Sequence, residues 1–182
     1  MSEFPVPEPE FSRPLSVDHL GEAAVAKQIV ANKDERAALA RRFGLLALDS
    51  LSADLSVERL PGNGGFRVSG RFVAEVTQAC VVSLEPVPAR LSEEFSQLYA
   101  LAPETPQQAE HVIDAEAEDP PEAVDAGSID LGEAVVQQVA LALDPYPRAP
   151  GARSPAGSEE ALEEARKSDG PFAALKTLKG GG

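Results

Sequence analysis

The sequence predicts an α+β fold. An antiparallel sheet, as a meander or partly closed barrel, packs against two main helices and carries a long acidic mobile loop. Three observations predict it. Residues 51–57 and 66–76 alternate apolar and polar side chains with a period of two. Residues 33–43 and 131–143 instead place apolar side chains three and four apart, the helical spacing. Between Leu91 and Pro147 stand thirteen acidic residues and no lysine or arginine.

With 182 residues the chain is long enough for one domain with a real core. Aromatic content is 5% and tryptophan is absent, so Leu, Val and Ala must fill that core. Residues 1–12 read as a flexible tail, 13–148 as the core with an acidic insertion at 103–127, and 149–182 as a low-complexity linker ending in a docking motif.

The elements follow in order. Leu15 and Val17 share one face of a strand starting near Arg13. Val25–Val30 admits a helix through Ala, Lys and Gln, but Ile29 and Val30 favour a short strand. Asn32 followed by Glu35 has capping-box spacing, and Gly44 offers a C-cap, which predicts a helix over 33–43. Leu51, Ala53, Leu55 and Val57 form the dry face of a strand. Pro61-Gly62-Asn63-Gly64-Gly65 is turn chemistry. Phe66, Val68, Gly70, Phe72, Ala74 and Val76 then line the dry face of a partner strand, giving an antiparallel hairpin. Gly70 in mid-strand points to a bulge or a close backbone approach.

Cys80, Val82 and Leu84 suit a third strand, redirected by Pro86 and Pro88. A further strand pair is expected over about 87–99, with Glu93-Glu94-Phe95 as an alternative helical turn. Residues 103–127 hold few large apolar side chains besides Val112 and Ile113, too few to offset ordering entropy. Asp130 is a good N-cap for a helix whose stripe is Leu131, Val135, Val136, Val139, Ala142 and Leu143, and Asp144-Pro145 ends it. A weak helix at 159–167 and the apolar cluster Pro171-Phe172-Ala173-Ala174-Leu175 follow.

Charge and chemistry narrow the function. A net charge of −14 and a pI near 4.5 weigh against DNA and anionic membranes as partners. The acidic block can meet a basic protein, hold cations or simply keep the chain soluble. One cysteine, Cys80, allows no internal disulfide and reads as a buried thiol. The start lacks a basic segment leading into an apolar run, and no stretch reaches 18 apolar residues, so a cytoplasmic location is expected. His19 and His111 lack metal-ligand neighbours, and no hydrolase, phosphate-loop or metalloprotease motif is present. Acidic neighbours such as Glu93 and Glu94 lack the fixed cleft that general acid–base work needs. These readings predict no enzyme, no cofactor and no metal. The candidate contact surface for RNA or protein is basic: Arg36, Arg41 and Arg42 on the first helix, and Arg67 and Arg71 on the wet face of the hairpin.

Several segments carry a likeness. Gly70-Arg71-Phe72-Val73-Ala74 and Gln78-Ala79-Cys80-Val81-Val82-Ser83-Leu84-Glu85-Pro86-Val87 resemble the core motif of the YceD/DUF177 family. Ile129-Asp130-Leu131-Gly132-Glu133 and Ala142-Leu143-Asp144-Pro145-Tyr146-Pro147-Arg148 resemble its second conserved region. Pro171-Phe172-Ala173-Ala174-Leu175 resembles its C-terminal motif. The resemblance implies a non-catalytic factor that promotes accumulation of large-subunit ribosomal RNA through ribosome assembly and protein interaction. It implies a ribosomal protein or pre-50S particle as partner, with rRNA itself as a second candidate. It singles out Cys80, Leu84, Glu85, Pro86, Asp144, Pro145, Pro147 and Phe172 as motif residues of unassigned role. Direct RNA binding through the arginines stays open, and an RNA-processing enzyme is the weakest alternative. Many relatives pair two cysteines as C-x-x-C, a spacing that can clamp zinc; here Ser83 stands where the second would be.

Overall fold

The computed structural model describes residues 9–18, 20–21, 23–62, 65–101, 121–124 and 127–153. The chain runs β1 (Pro14–Ser16), β2 (Val25–Val30), α1 (Lys33–Phe43), β3 (Ala47–Arg59), β4 (Phe66–Ala79), β5 (Pro86–Leu101), β6 (Glu122–Val124), β7 (Ser128–Asp130) and α2 (Leu131–Ala142). It divides into two units. The first comprises the described residues of Met1–Gln78 and Pro88–Pro145, the second those of Ala79–Val87 and Tyr146–Gly182.

Helix α1 starts and stops as its sequence dictates. The Asn32 side chain accepts from the Asp34 and Glu35 amides at 2.9 and 3.0 Å, and Glu35 Oε2 accepts from the Asn32 amide at 2.7 Å. Those reciprocal bonds satisfy donors that the first helical turn would otherwise leave unpaired. At the other end Gly44 adopts a left-handed φ of 65° that a side chain would resist.

The larger sheet has the order β2-β3-β4-β5-β6. Strands β3 and β4 pair antiparallel, with Val57 opposite Val68 and Leu55 opposite Gly70. Beside β4, the ion pairs Arg71–Glu94 and Glu75–Arg90 run in opposite chain directions, so β5 is antiparallel as well. Alternation puts Leu51, Ala53, Leu55 and Val57 with Phe66, Val68, Phe72, Ala74 and Val76 on one buried face. Leu39 of α1 and Leu131, Val135, Val136 and Val139 of α2 complete the same core. Removing this much aliphatic surface from water, at roughly 25 cal/mol per Å², is the main force holding the unit together.

Helix α2 begins at Asp130, whose Oδ1 accepts from the Gly132 and Glu133 amides at 2.9 and 3.2 Å. The same carboxylate accepts from Ser12 Oγ and the Arg13 amide at 2.6 and 2.7 Å. Phe11, which the sequence places in a flexible tail, is fully buried. A second, two-stranded sheet pairs β1 with β7, Leu15 lying opposite Ile129.

The structure corrects four expectations. Cys80–Leu84 is not a strand but a turn, closed by bonds from the Cys80 amide to the Glu85 carbonyl and from the Leu84 amide to the Cys80 carbonyl. Its apolar alternation is misleading because Val81 and Leu84 are exposed. The expected strand pair over 87–99 is one continuous strand, β5. Pro86 and Pro88 are tolerated there because they stand at its start, where a missing amide costs least. The sheet is open rather than a partly closed barrel, with β2 and β6 at its edges. Finally, Glu122–Val124 within the acidic insertion is strand β6, parallel to β5 with Tyr99 opposite Glu122, and Val124 is buried. Residues 102–120, with Val112 and Ile113, lie outside the described residues, as do the expected helix at 159–167 and Phe172.

Candidate interaction surface

The five arginines singled out from sequence do not form one patch. On the polar face of the sheet Arg67 meets Glu58 at 2.7 Å and Arg71 meets Glu94 at 2.6 Å. Both belong to β4, whose alternation turns them away from the core. Arg42 sits in the last turn of α1 and reaches Glu133 of α2 at 2.8 Å and Glu10 at 3.0 Å. These contacts raise its pKa still further, chiefly through the Glu133 hydrogen bond. Such pairs lower the positive charge these side chains can offer a phosphate backbone.

Arg36 and Arg41 behave differently. Arg36 Nη1 donates to the Ala31 carbonyl at 2.7 Å, and among the described residues no carboxylate pairs with it. Arg41 is exposed, and among the described residues nothing bonds its guanidinium. Together with Lys33, which sequence reasoning passed over, they line a groove of about 390 Å³ between α1 and the Leu45–Asp49 segment. The spacing 33, 36, 41 on a helix was the signal that could have found it, since those positions fall on adjoining parts of one face. Leu46 lies in the groove 56% exposed, although its amide is tied to the Thr77 carbonyl at 2.8 Å.

The motif residues around Cys80 make a separate, closed arrangement within the second unit. Cys80 Sγ accepts from the Ala149 amide at 3.3 Å and from the Val82 and Ser83 amides at 3.4 Å each. The Val81 amide donates to the Pro147 carbonyl at 2.9 Å. The Ala149 amide, then Ser83, hold the thiol below its ordinary range at about 6, while enclosure opposes them. Leu84 takes a left-handed φ of 62° and is 76% exposed, which a leucine adopts only when its surroundings impose it. Ser83 Oγ donates to Glu85 Oε2 at 3.0 Å. Pro86 opens β5. In the first unit, Asp144 offers its carbonyl to Gln78 Nε2 at 2.9 Å, and Pro145 follows it past the end of α2.

This turn does not suit zinc. It offers one thiol whose lone pairs already face three amides, and a serine engaged with a glutamate. Among the described residues no three or more His, Cys, Asp or Glu side chains gather as metal ligands. His19 and His111 lie outside the described residues. Among the described residues, no helix is long and apolar enough to cross a membrane.

Residues 68–179 match the family model described as large ribosomal RNA subunit accumulation protein YceD, which spans more than half of the chain. The chain belongs to the YceD family. Members of the YceD family are non-catalytic. No curated protein and no solved structure matches the chain. The YceD match includes β5, the Cys80 turn and α2. It begins inside β4, so α1 and the basic groove fall before it.

Proposed function

We propose that this YceD protein is a cytoplasmic, non-catalytic factor that supports accumulation of large-subunit ribosomal RNA by acting in ribosome assembly through protein contacts. The family match carries this reading. A ribosomal protein or a pre-50S particle is the partner, with the rRNA reached through that protein. A chain of net charge −14 suits basic ribosomal proteins better than bare phosphate.

Direct RNA contact through the arginines is the second reading, and Arg36 and Arg41 favour it because no carboxylate neutralises them among the described residues. Arg42, Arg67 and Arg71 argue for the protein reading, since each is held in an ion pair. The test is affinity purification from cell extract at low salt, with in-cell crosslinking and mass spectrometry of the partners. Recovery of a ribosomal protein or pre-50S particle supports the proposal. Clean separation from such particles overturns it, and crosslinks from Arg36 or Arg41 straight to RNA favour the second reading.

A further inference from the structure

The groove between α1 and β3 gathers three cations around an exposed leucine. Arg13, Arg42, Arg67, Arg71 and Arg90 each meet a carboxylate. Lys27, Arg59, Arg148 and Arg153 do not among the described residues, and each of them stands outside this groove. Lys33, Arg36 and Arg41 nevertheless line one concavity on one helix face, and among the described residues none of them meets a carboxylate.

The groove is also apolar between those charges. Ala40 contributes to its helical wall, and Leu46 stands more than half exposed on the other side. The Leu46 amide is anchored to the Thr77 carbonyl, which holds the main chain of this residue in place at the groove. Leaving a leucine more than half in water forgoes burial that an occupant can recover. A concave site with cations around an apolar side chain matches a ligand that alternates carboxylates with aliphatic groups.

We propose that this groove binds an acidic peptide segment of a partner protein, its carboxylates on Lys33, Arg36 and Arg41 and an aliphatic side chain against Leu46. Nucleic acid fits less well. No aromatic ring lines the groove to stack a base. The site precedes the family-matched span, so this partner is additional to the ribosomal one and does not depend on it.

Fluorescence anisotropy with the purified full chain tests this directly. The probe is a fluorescein-labelled peptide, Glu-Glu-Leu-Glu-Glu-Ala-Leu-Glu-Glu. Saturable binding is expected near 0.15 M salt, where a Debye length of about 8 Å screens the chain's net negative charge while leaving close contacts in the groove. The double variant Lys33→Glu, Arg41→Glu should weaken binding by about tenfold or more. Leu46→Ser should weaken it several-fold at every salt concentration, which a purely electrostatic attraction would not produce. Arg71→Glu, on β4, should leave it unchanged. Circular dichroism melts confirm that each exposed variant stays folded, and either groove variant suffices alone.

Absence of saturable binding to the unaltered chain overturns the proposal, as does insensitivity to both groove variants. A single-stranded RNA of equal charge that binds more tightly, and loses affinity in the same variants, overturns it in favour of nucleic acid. None of these outcomes bears on co-purification with ribosomal particles, so the two proposals fail independently.

Discussion

Gly132, in the first turn of α2, lies against the Phe11 carbonyl so closely that a Cβ there would overlap the carbonyl oxygen. The same Cβ would stand 3.1 Å from the Arg13 amide nitrogen. The contact leaves no give, because Phe11 is fully buried and the Leu131 amide donates to the Arg13 carbonyl at 3.1 Å. Helix α2 and the N-terminal segment are pressed together where only hydrogen fits.

Gly132→Ala therefore inverts the usual helix rule. Alanine in a helix ordinarily gains up to about 1 kcal/mol over glycine. Here overpacking against backbone should cost about 1–3 kcal/mol net. Urea unfolding followed by circular dichroism reads this as a lower midpoint at constant slope. A raised midpoint would show that the Phe11 strap is free to move.

Gly70 answers to the same test on the sheet. A Cβ there would overlap the Asp54 carbonyl oxygen and approach Leu55 Cα to 2.9 Å. Gly70→Ala should cost about 1–3 kcal/mol by forcing β3 and β4 apart. Gly21, with nothing within 4 Å of its Cβ position, supplies the control, and Gly21→Ala should fall within about 0.5 kcal/mol of the parent.

Two adjacent arginines should separate by role. Arg42→Ala removes contacts to Glu133 and Glu10 and should cost about 1 kcal/mol or less, because the pairs are partly solvated. Arg41→Ala touches no partner among the described residues and should change stability by no more than about 0.5 kcal/mol. A double-mutant cycle of Arg42→Ala with Glu133→Gln should reveal coupling between the helices, and strict additivity would refute it.

The Cys80 thiol should titrate near 6 in the folded protein. Its folded pKa is depressed relative to the unfolded chain, so the thiolate's contribution to stability is complete above the unfolded value of about 8.5. It is lost as pH falls toward 6. Thiolate absorbance at 240 nm should report the midpoint, and Cys80→Ala should flatten this part of the stability–pH profile. A midpoint at or above the ordinary thiol value would mean that enclosure outweighs the three amide donors.

Local signals made much of the fold legible. Asn32 with Glu35 and Gly44 bounded α1 because capping chemistry is written within a few residues. The hairpin of β3 and β4 followed from strict alternation, and the close approach expected at Gly70 is present. The failures share a cause. Val81 and Leu84 look like strand residues but face solvent, because the amides of their turn are directed to the Cys80 sulfur and the Pro147 carbonyl, the latter 66 positions away. Likewise the Glu133 carboxylate meets Arg42 on another helix, a contact that local spacing does not encode. On the interaction surface, composition could nominate five arginines, but which were already neutralised depended on cross-strand and interhelical neighbours that spacing does not encode. Lys33 and Leu46 escaped notice because their significance lies in a concavity made by two elements.

The bonds from Ser12 and Arg13 to Asp130 span 118 and 117 positions, and among the described residues β1 pairs in a sheet with β7 alone. During synthesis the first strand must therefore wait, unpaired, until almost the whole core has left the ribosome. A nascent chain halted before Asp130 would keep Phe11 uncovered by α2 and susceptible to proteases, and release of β7 and α2 would lock them onto the segment 11–16 in a single late step.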